Sequence, residues 1–303
     1  MIYASKMGLG VGGLGAGHPG KVVYVSDTLA SDVRDLMNRF GIDDYDRTTL
    51  MAATIDAGQD LCSSNRGDHI IVAPSHAETL TAKLDLNVAG ITVRGLGDGN
   101  EAPTLTGNGT IDTVEFSADN ITFDNFMFGA PLTDAQTSFI NIDDDGARVL
   151  NIRGIGSVGS ENVVDLITVT ANGNDAYIDG VQFWNSVVAV NSFLSLEGAA
   201  SRVTVKNFRA FGDVATAGII DAAKVDYLWL EDVIVAVVGT TKPAITLDSN
   251  PEGIAINCKW AGTHTTIATN CALGNLMRIF ENRVLEETDG SVQGMILPVV
   301  DGE

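Results

Sequence analysis

From Ile91 onward the chain repeats a six-residue pattern, with apolar residues at positions one, three and six and a turn-forming residue at position five. Seven copies can be aligned: Ile91–Leu96, Ile121–Phe126, Leu150–Ile155, Ala176–Val181, Val203–Phe208, Leu228–Val233 and Ile254–Lys259. Their starts lie 30, 29, 26, 27, 25 and 26 residues apart. That interval is too short for a strand, a crossover helix and a second strand, and too regular for a sandwich of hairpins. A second short apolar run precedes most copies, as at Val114–Phe116, Ile140–Ile142, Ile167–Val169, Phe193–Leu196 and Ile245–Leu247. Two or three short strands per repeat, stacked by parallel pairing, bury their apolar positions in one continuous column. The pattern therefore predicts an all-β chain, a right-handed single-stranded parallel β-helix of about seven coils with an N-terminal helical cap.

Three aligned columns support this reading. Position three holds Val93, Phe123, Ile152, Ile178, Val205, Leu230 and Ile256, an inward-facing apolar column. Position five holds Gly95, Asn125, Gly154, Gly180, Asn207, Asp232 and Cys258; Gly, Asn and Asp tolerate positive φ, which marks a sharp corner between sheets. Position four reads Arg94, Asp124, Arg153, Asp179, Lys206 and Glu231 before the neutral Asn257. Alternating signs on coils stacked roughly 4.8 Å apart would form a ladder that specifies coil register, although each exposed pair contributes only about 0–1 kcal/mol.

The repeat divides the chain into a Gly-rich arm at 1–20, a strand and helix capping segment at 21–80, the β-helix at 81–275 and a C-terminal cap or tail at 276–303. Helical spacing is expected at Thr28–Phe40 and Thr48–Cys62. The second of these is assigned to cover the open solenoid end, whose backbone and apolar side chains need shielding. The tail alternates acidic residues with the apolar patch Met295–Val300, suited to sealing the far end or reaching a neighbouring subunit.

Charge narrows the possible partners. The net charge of −21 divides as −4 over residues 1–80, −13 over 81–275 and −4 over 276–303, so no segment is basic. This disfavours a nucleic-acid surface and an anionic membrane alike. No apolar run has the length of a membrane span, and the N-terminal stretch lacks a secretory signal's apolar core, so folding in a cytoplasm is expected. Cys62, Cys258 and Cys271 match neither a zinc site nor a redox pair and read as reduced, packed thiols.

Candidate chemistry is sparse. Asp143, Asp144 and Asp145 precede Gly146, where Asp is favoured simply as a turn residue. Asp124 and Asp179 fall two coils apart, about 10 Å by the coil spacing, but Arg153 stands between them in the alignment, which fits charge pairing better than an acid and base around a sugar. Glu197 has no evident partner. Arg202 and Arg209 lack the neighbouring carboxylates that a calcium-assisted lyase would need. His18, His69, His76 and His264 show no ligand spacing, and the glycines at 8–17 do not form a phosphate loop. No catalytic, cofactor-binding or metal-binding residue is assigned. Tyr177 and Trp229 at outward position two, with Trp184 and Trp260 after turns, are candidates for sugar stacking, for a protein interface or for ordinary cover of a sheet.

Two segments, Asn65–Thr79 (NRGDHIIVAPSHAET) and Val88–Gly97 (VAGITVRGLG), resemble the pectate-lyase-like β-helix structural proteins encoded by tailed bacteriophages beside their head genes. The likeness runs from about Lys21 to the C-terminus. It implies a virion structural role, a capsid decoration or cement protein on the head exterior, trimeric, assembled in the bacterial cytoplasm with the major capsid protein as partner. The catalytic residues of true lyases have no matching positions. The alternative is a tail-associated glycan-binding protein or polysaccharide depolymerase using Trp229, Tyr177 and the ladder carboxylates.

Overall fold

The computed structural model describes residues 20–26, 50–132, 136–155, 157–158, 161–247, 251–263, 271–273, 276–286 and 294–295. Most of the Gly-rich arm, the helix expected at Thr28–Phe40 and nearly all of the tail after 286 lie outside the described residues.

The chain is a parallel β-solenoid of about eight turns. Each turn lays one strand on each of three sheets, of 11, 10 and 9 strands. The coil that starts at Tyr177–Asp179 on the first sheet continues through Gln182–Val190 on the second and Ser192–Leu196 on the third. Pairing is parallel throughout the stack; the exceptions are a hairpin between Ser157–Val158 and Glu161–Asn162 and the final strand Gly294–Met295. The three-sheet stack starts at His69, earlier than the boundary at 81 drawn from the repeat, and the first sheet extends further back to Val22–Val25.

The sequence alignment needs correction in two coils. Val149, not Ile152, pairs with Phe123 and Ile178, so the third copy is Ala147–Ile152. Ala255, not Ile256, pairs with Leu230, so the seventh is Gly253–Cys258. Val149, Ile152 and Ala255 are all buried, which is why hydrophobicity alone could not separate the two registers. The turn column then becomes Asn125, Asn151, Gly180, Asn207, Asp232 and Asn257, each with φ between 47° and 71°. The expected Gly95, Gly154 and Cys258 drop out of it.

A second left-handed column lies at the opposite end of the first sheet: Gly90, Asn120, Gly146, Asp175, Arg202 and Tyr227. In both columns the backbone N–H donates to a carbonyl of the next coil, as from Asn151 to Asp179 (2.9 Å) and from Gly146 to Asn174 (2.8 Å). Asn151 also donates its amide to Asp124 Oδ1, and Asn207 to Asp179 Oδ1, both at 2.8 Å. A β-branched residue cannot adopt this conformation cheaply. Asn207→Val is therefore expected to lower stability by about 1–2 kcal/mol more than Asn207→Gly, a difference to be read by urea unfolding of the two variants.

The interior is an apolar column with an aromatic middle. Phe123 and Phe126 stack with centroids 4.0 Å apart, Phe128 and Phe139 at 4.9 Å, and Phe183 links Phe139 at 6.0 Å to Phe208 at 6.2 Å. Rings at these separations gain edge and offset-stacking energy beyond their buried area. The N-terminal end is closed by the helix Ile55–Gln59, shorter than the Thr48–Cys62 expected because Met51–Ala52 is a strand. Ile55 is fully buried, and Thr54 caps the helix through Oγ1 to the Ala57 N–H. Buried Glu78, held by His76 Nε2 at 2.7 Å, accepts the Ile55 N–H at 2.8 Å. A carboxylate there also suits the positive end of the helix. His76 thus holds the carboxylate that receives the helix's first N–H.

Candidate interaction surface

The outward charge ladder on the first sheet is real in part. Arg94 Nε lies 2.8 Å from Asp124, and Lys206 Nζ lies 2.7 Å from Glu231. Leu150 and Ile256 occupy the column where Arg153 and Asn257 were expected. Asp124 and Asp179 therefore have Leu150 between them, not Arg153. Even so, Asp124 is buried under Arg94 and Asn151, while Asp179 accepts from Asn207 and the Tyr177 hydroxyl, so both carboxylates have partners. Tyr177 and Trp229 belong to this same network. Arg148 sits 4.9 Å from the Tyr177 ring centroid, Lys206 sits 5.7 Å from that of Trp229, and Trp229 Nε1 donates to Glu231 at 3.0 Å.

The acidic turn is also tied into the stack. Asp143 accepts from Thr170 and Asn172, and Asp145 from Asn174 at 2.8 Å. Burial, reinforced by the neighbouring Asp119 and Asp143 carboxylates, raises the pKa of Asp144. Arg202 pairs with Asp175 across one coil. Among the described residues no group of three or more His, Cys, Asp or Glu is placed to hold a metal, and no helix is long and apolar enough to cross a membrane. His18 and His264 lie outside the described residues. The three cysteines are free, and burial pushes Cys62 up to about 11, Cys258 up to about 12 and Cys271 higher still, so all are protonated thiols at neutral pH.

A carboxylate with a raised pKa, Asp165, lies on the third sheet. It is buried and accepts from Asn191 Nδ2 at 2.9 Å and Ser192 Oγ at 2.5 Å. Burial raises its pKa, opposed by those hydrogen bonds; Glu197 is raised as well, first by desolvation and then by the charges of Asp165 and Asp112. A raised carboxylate binds its proton more tightly in the folded chain than in the unfolded one, so its contribution to stability falls as pH rises above the ordinary carboxylate range. Asp165→Asn is therefore expected to be more stable relative to the parent at pH 7 than at pH 3, measured by denaturant unfolding at the two pH values. Equal offsets at both would contradict the assignment.

The second sheet presents a different outer face. One outward column runs Arg153, Gln182, Arg209, Ile234, Lys259 and Arg283. Beside it runs an apolar column of Ile155, Trp184, Phe211, Ala236 and Ala261. Phe211 is 54% exposed and Trp184 45%. With Gln182, Arg209 and Ile234 they line a shallow depression of about 270 Å³. Neither column contains a carboxylate; Asp213, further along the strand, stands at the rim.

The cations set this face apart. Arg66, Lys83, Arg94, Arg202, Lys206 and Lys224 each lie against a carboxylate. Among the described residues Arg153, Arg209, Lys259 and Arg283 have no such pair, nor do Lys21, Arg148, Lys242 and Arg278, but the first four share one column of the second sheet. In a chain with 39 acidic and 18 basic residues, four unpaired cations aligned beside exposed aromatics form a distinct surface. Trp184 was singled out from the sequence; Trp260 was too, but it points inward and is fully buried. Phe211 and the cation column went unnoticed because the hexapeptide stops before the second sheet. Alternation carried past position six, with Phe208 and Ala210 inward and Arg209 and Phe211 outward, contains the signal.

Parallel β-solenoid is the class that fold and surface define. Comparisons with family models, curated proteins and solved structures find no match to the chain.

Proposed function

We propose that this chain is a non-enzymatic structural protein of a tailed-bacteriophage virion, a capsid decoration or cement protein that acts on the head exterior as a homotrimer. The observation that carries a docking role is the second-sheet face, where aromatic side chains and unpaired cations are exposed on a rigid rod. Elsewhere the prominent carboxylates are bonded into ladders that connect coils, an arrangement that serves rigidity. Aromatic and Arg side chains are the usual anchors of protein interfaces. The complementary partner is an acidic, partly apolar patch of the major capsid protein. A nucleic acid or anionic membrane would meet the field of a −21 chain before reaching four aligned cations.

The test is co-sedimentation of the purified chain with capsids that lack it, next to a version starting at Lys21. Binding of both supports docking by the rod, and binding of the full chain alone transfers attachment to the Gly-rich arm. A chain left in the supernatant refutes decoration.

The second reading, a tail-associated glycan-binding protein or depolymerase, is favoured by the depression between Trp184, Phe211 and Arg209, where a sugar ring could stack. Polysaccharide cleavage that disappears in Asp124→Asn or Asp179→Asn would establish that reading in place of the first.

A further inference from the structure

On the second-sheet face the cations recur with a period. Arg153, Arg209 and Lys259 occupy every second coil of one outward column, with the uncharged Gln182 and Ile234 on the coils between. Coils stack about 4.8 Å apart, so successive cations stand about 9.6 Å apart along the rod. Arg283 follows Lys259 one coil on and extends the charge beyond the period. The neighbouring outward column changes character along the same axis: Trp184 and Phe211 stand up as an exposed ridge, and Ala236 and Ala261 continue it as a low apolar floor. The two columns lie two residues apart on each strand, about 7 Å. A ligand that fits is thin and follows the rod axis. It repeats a negative charge at the cation spacing and offers apolar groups to the ridge and the floor.

We infer that this face recognises an acidic polyproline II segment of its partner, with a carboxylate at every third residue. The polyproline II helix rises about 3.1 Å per residue with three residues per turn, so positions i, i+3 and i+6 share one side at intervals of about 9.3 Å. From Arg153 to Lys259 is four coil steps, about 19 Å, and two turns of such a segment cover the same length. Other backbones match less well. An extended strand repeats a side every two residues, about 6.8 Å, and falls out of step with the cations within one interval. An α-helix advances about 10.8 Å in two turns, and its diameter of about 10–12 Å would rest it on the Trp184 and Phe211 rings, lifted off the alanine floor. Polyproline II segments dock in aromatic-lined grooves because the ligand is ordered before it binds. An acidic polysaccharide has the charge, but its hydroxyls need neutral polar partners. Between the coils of Arg153 and Arg283 the two columns hold one amide side chain, Gln182, and no hydroxyl. The inference rests on the second-sheet face being the docking surface and names the shape of what docks there.

The experiment titrates the full chain in a calorimeter with two synthetic peptides of one composition: repeats of Glu-Pro-Pro, and the same residues with all the glutamates in one block. A swap variant, Gln182→Arg with Arg209→Gln, keeps the total charge of the face and moves its central cation one coil out of period. The parent is expected to bind the Glu-Pro-Pro repeat about tenfold more tightly than the block peptide, through exposed ion pairs that the repeat alone completes. The swap variant is expected to lose that preference while its thermal unfolding matches the parent. Equal binding of the two peptides by the parent overturns the inference, as does a preference that survives the swap, or binding of neither peptide. Tighter binding of a uronic-acid oligosaccharide than of the Glu-Pro-Pro repeat overturns it too, since the ligand is then a glycan. Capsid co-sedimentation is read separately: preference for the repeat with bare capsids refutes decoration and leaves the polyproline II reading standing, while decorated capsids with no preference do the reverse.

Discussion

Phe139→Ala is expected to destabilise the rod by about 3–5 kcal/mol. Phe139 is fully buried and stands between the Phe128 ring at 4.9 Å and the Phe183 ring at 6.0 Å, so alanine leaves a cavity that rigid neighbouring coils cannot collapse to fill. A solenoid's stability is a sum of coil and nearest-neighbour terms, which makes the loss local before it is global. Amide exchange should accelerate first in the coils that carry Phe128, Phe139 and Phe183, at urea concentrations that leave the coil of Leu228–Glu231 protected. Uniform acceleration along the chain would mean that the aromatic middle is not a distinct unit.

The second large effect concerns attachment. Arg209→Glu combined with Phe211→Asp is expected to weaken capsid binding by about 1,000-fold, because two central anchors at about 2 kcal/mol each are lost and one cation is reversed. Both side chains point away from the core, with Phe211 54% exposed and Arg209 outside any ion pair, so the fold should survive the change. Thermal unfolding of the double variant should match the parent. Undiminished capsid binding would show that the second-sheet face is not the docking surface.

The solenoid was legible in the sequence because its signals repeat. Apolar positions one, three and six, and Gly, Asn or Asp at five, recur often enough for coil spacing to emerge without knowledge of any single contact. Register was less legible. In the third coil two candidate alignments, centred on Val149 and on Ile152, both place an apolar residue inside, since the strand to one side of the turn and the strand beyond it each bury every second residue. What separates them is the turn residue: Asn151 adopts φ 53° and Gly154 does not adopt a left-handed conformation. The same ambiguity misplaced Arg153, which belongs to the second sheet beside Met127 and Gln182.

Surface chemistry was harder still to read. The pairing of Tyr177 with Arg148, or of Trp229 with Lys206 and Glu231, depends on which coils are neighbours and which side chains share a column, so position two looked like a set of free aromatics. The cation column could be seen only once strand register had placed Arg153, Arg209, Lys259 and Arg283 on one face. Charge totals pointed the other way. A chain at −21 gave no hint that one of its three faces carries a cationic column, because net charge averages over all faces.

Electron microscopy of capsids lacking this chain, mixed with the full-length protein, tests decoration by the second-sheet face most directly. Rods are expected in groups of three on the outer shell, each with the sheet of Trp184 and Phe211 against the major capsid protein. Bare shells, rods confined to the tail, or rods bound through the Asp124 and Glu231 face of the first sheet would contradict it.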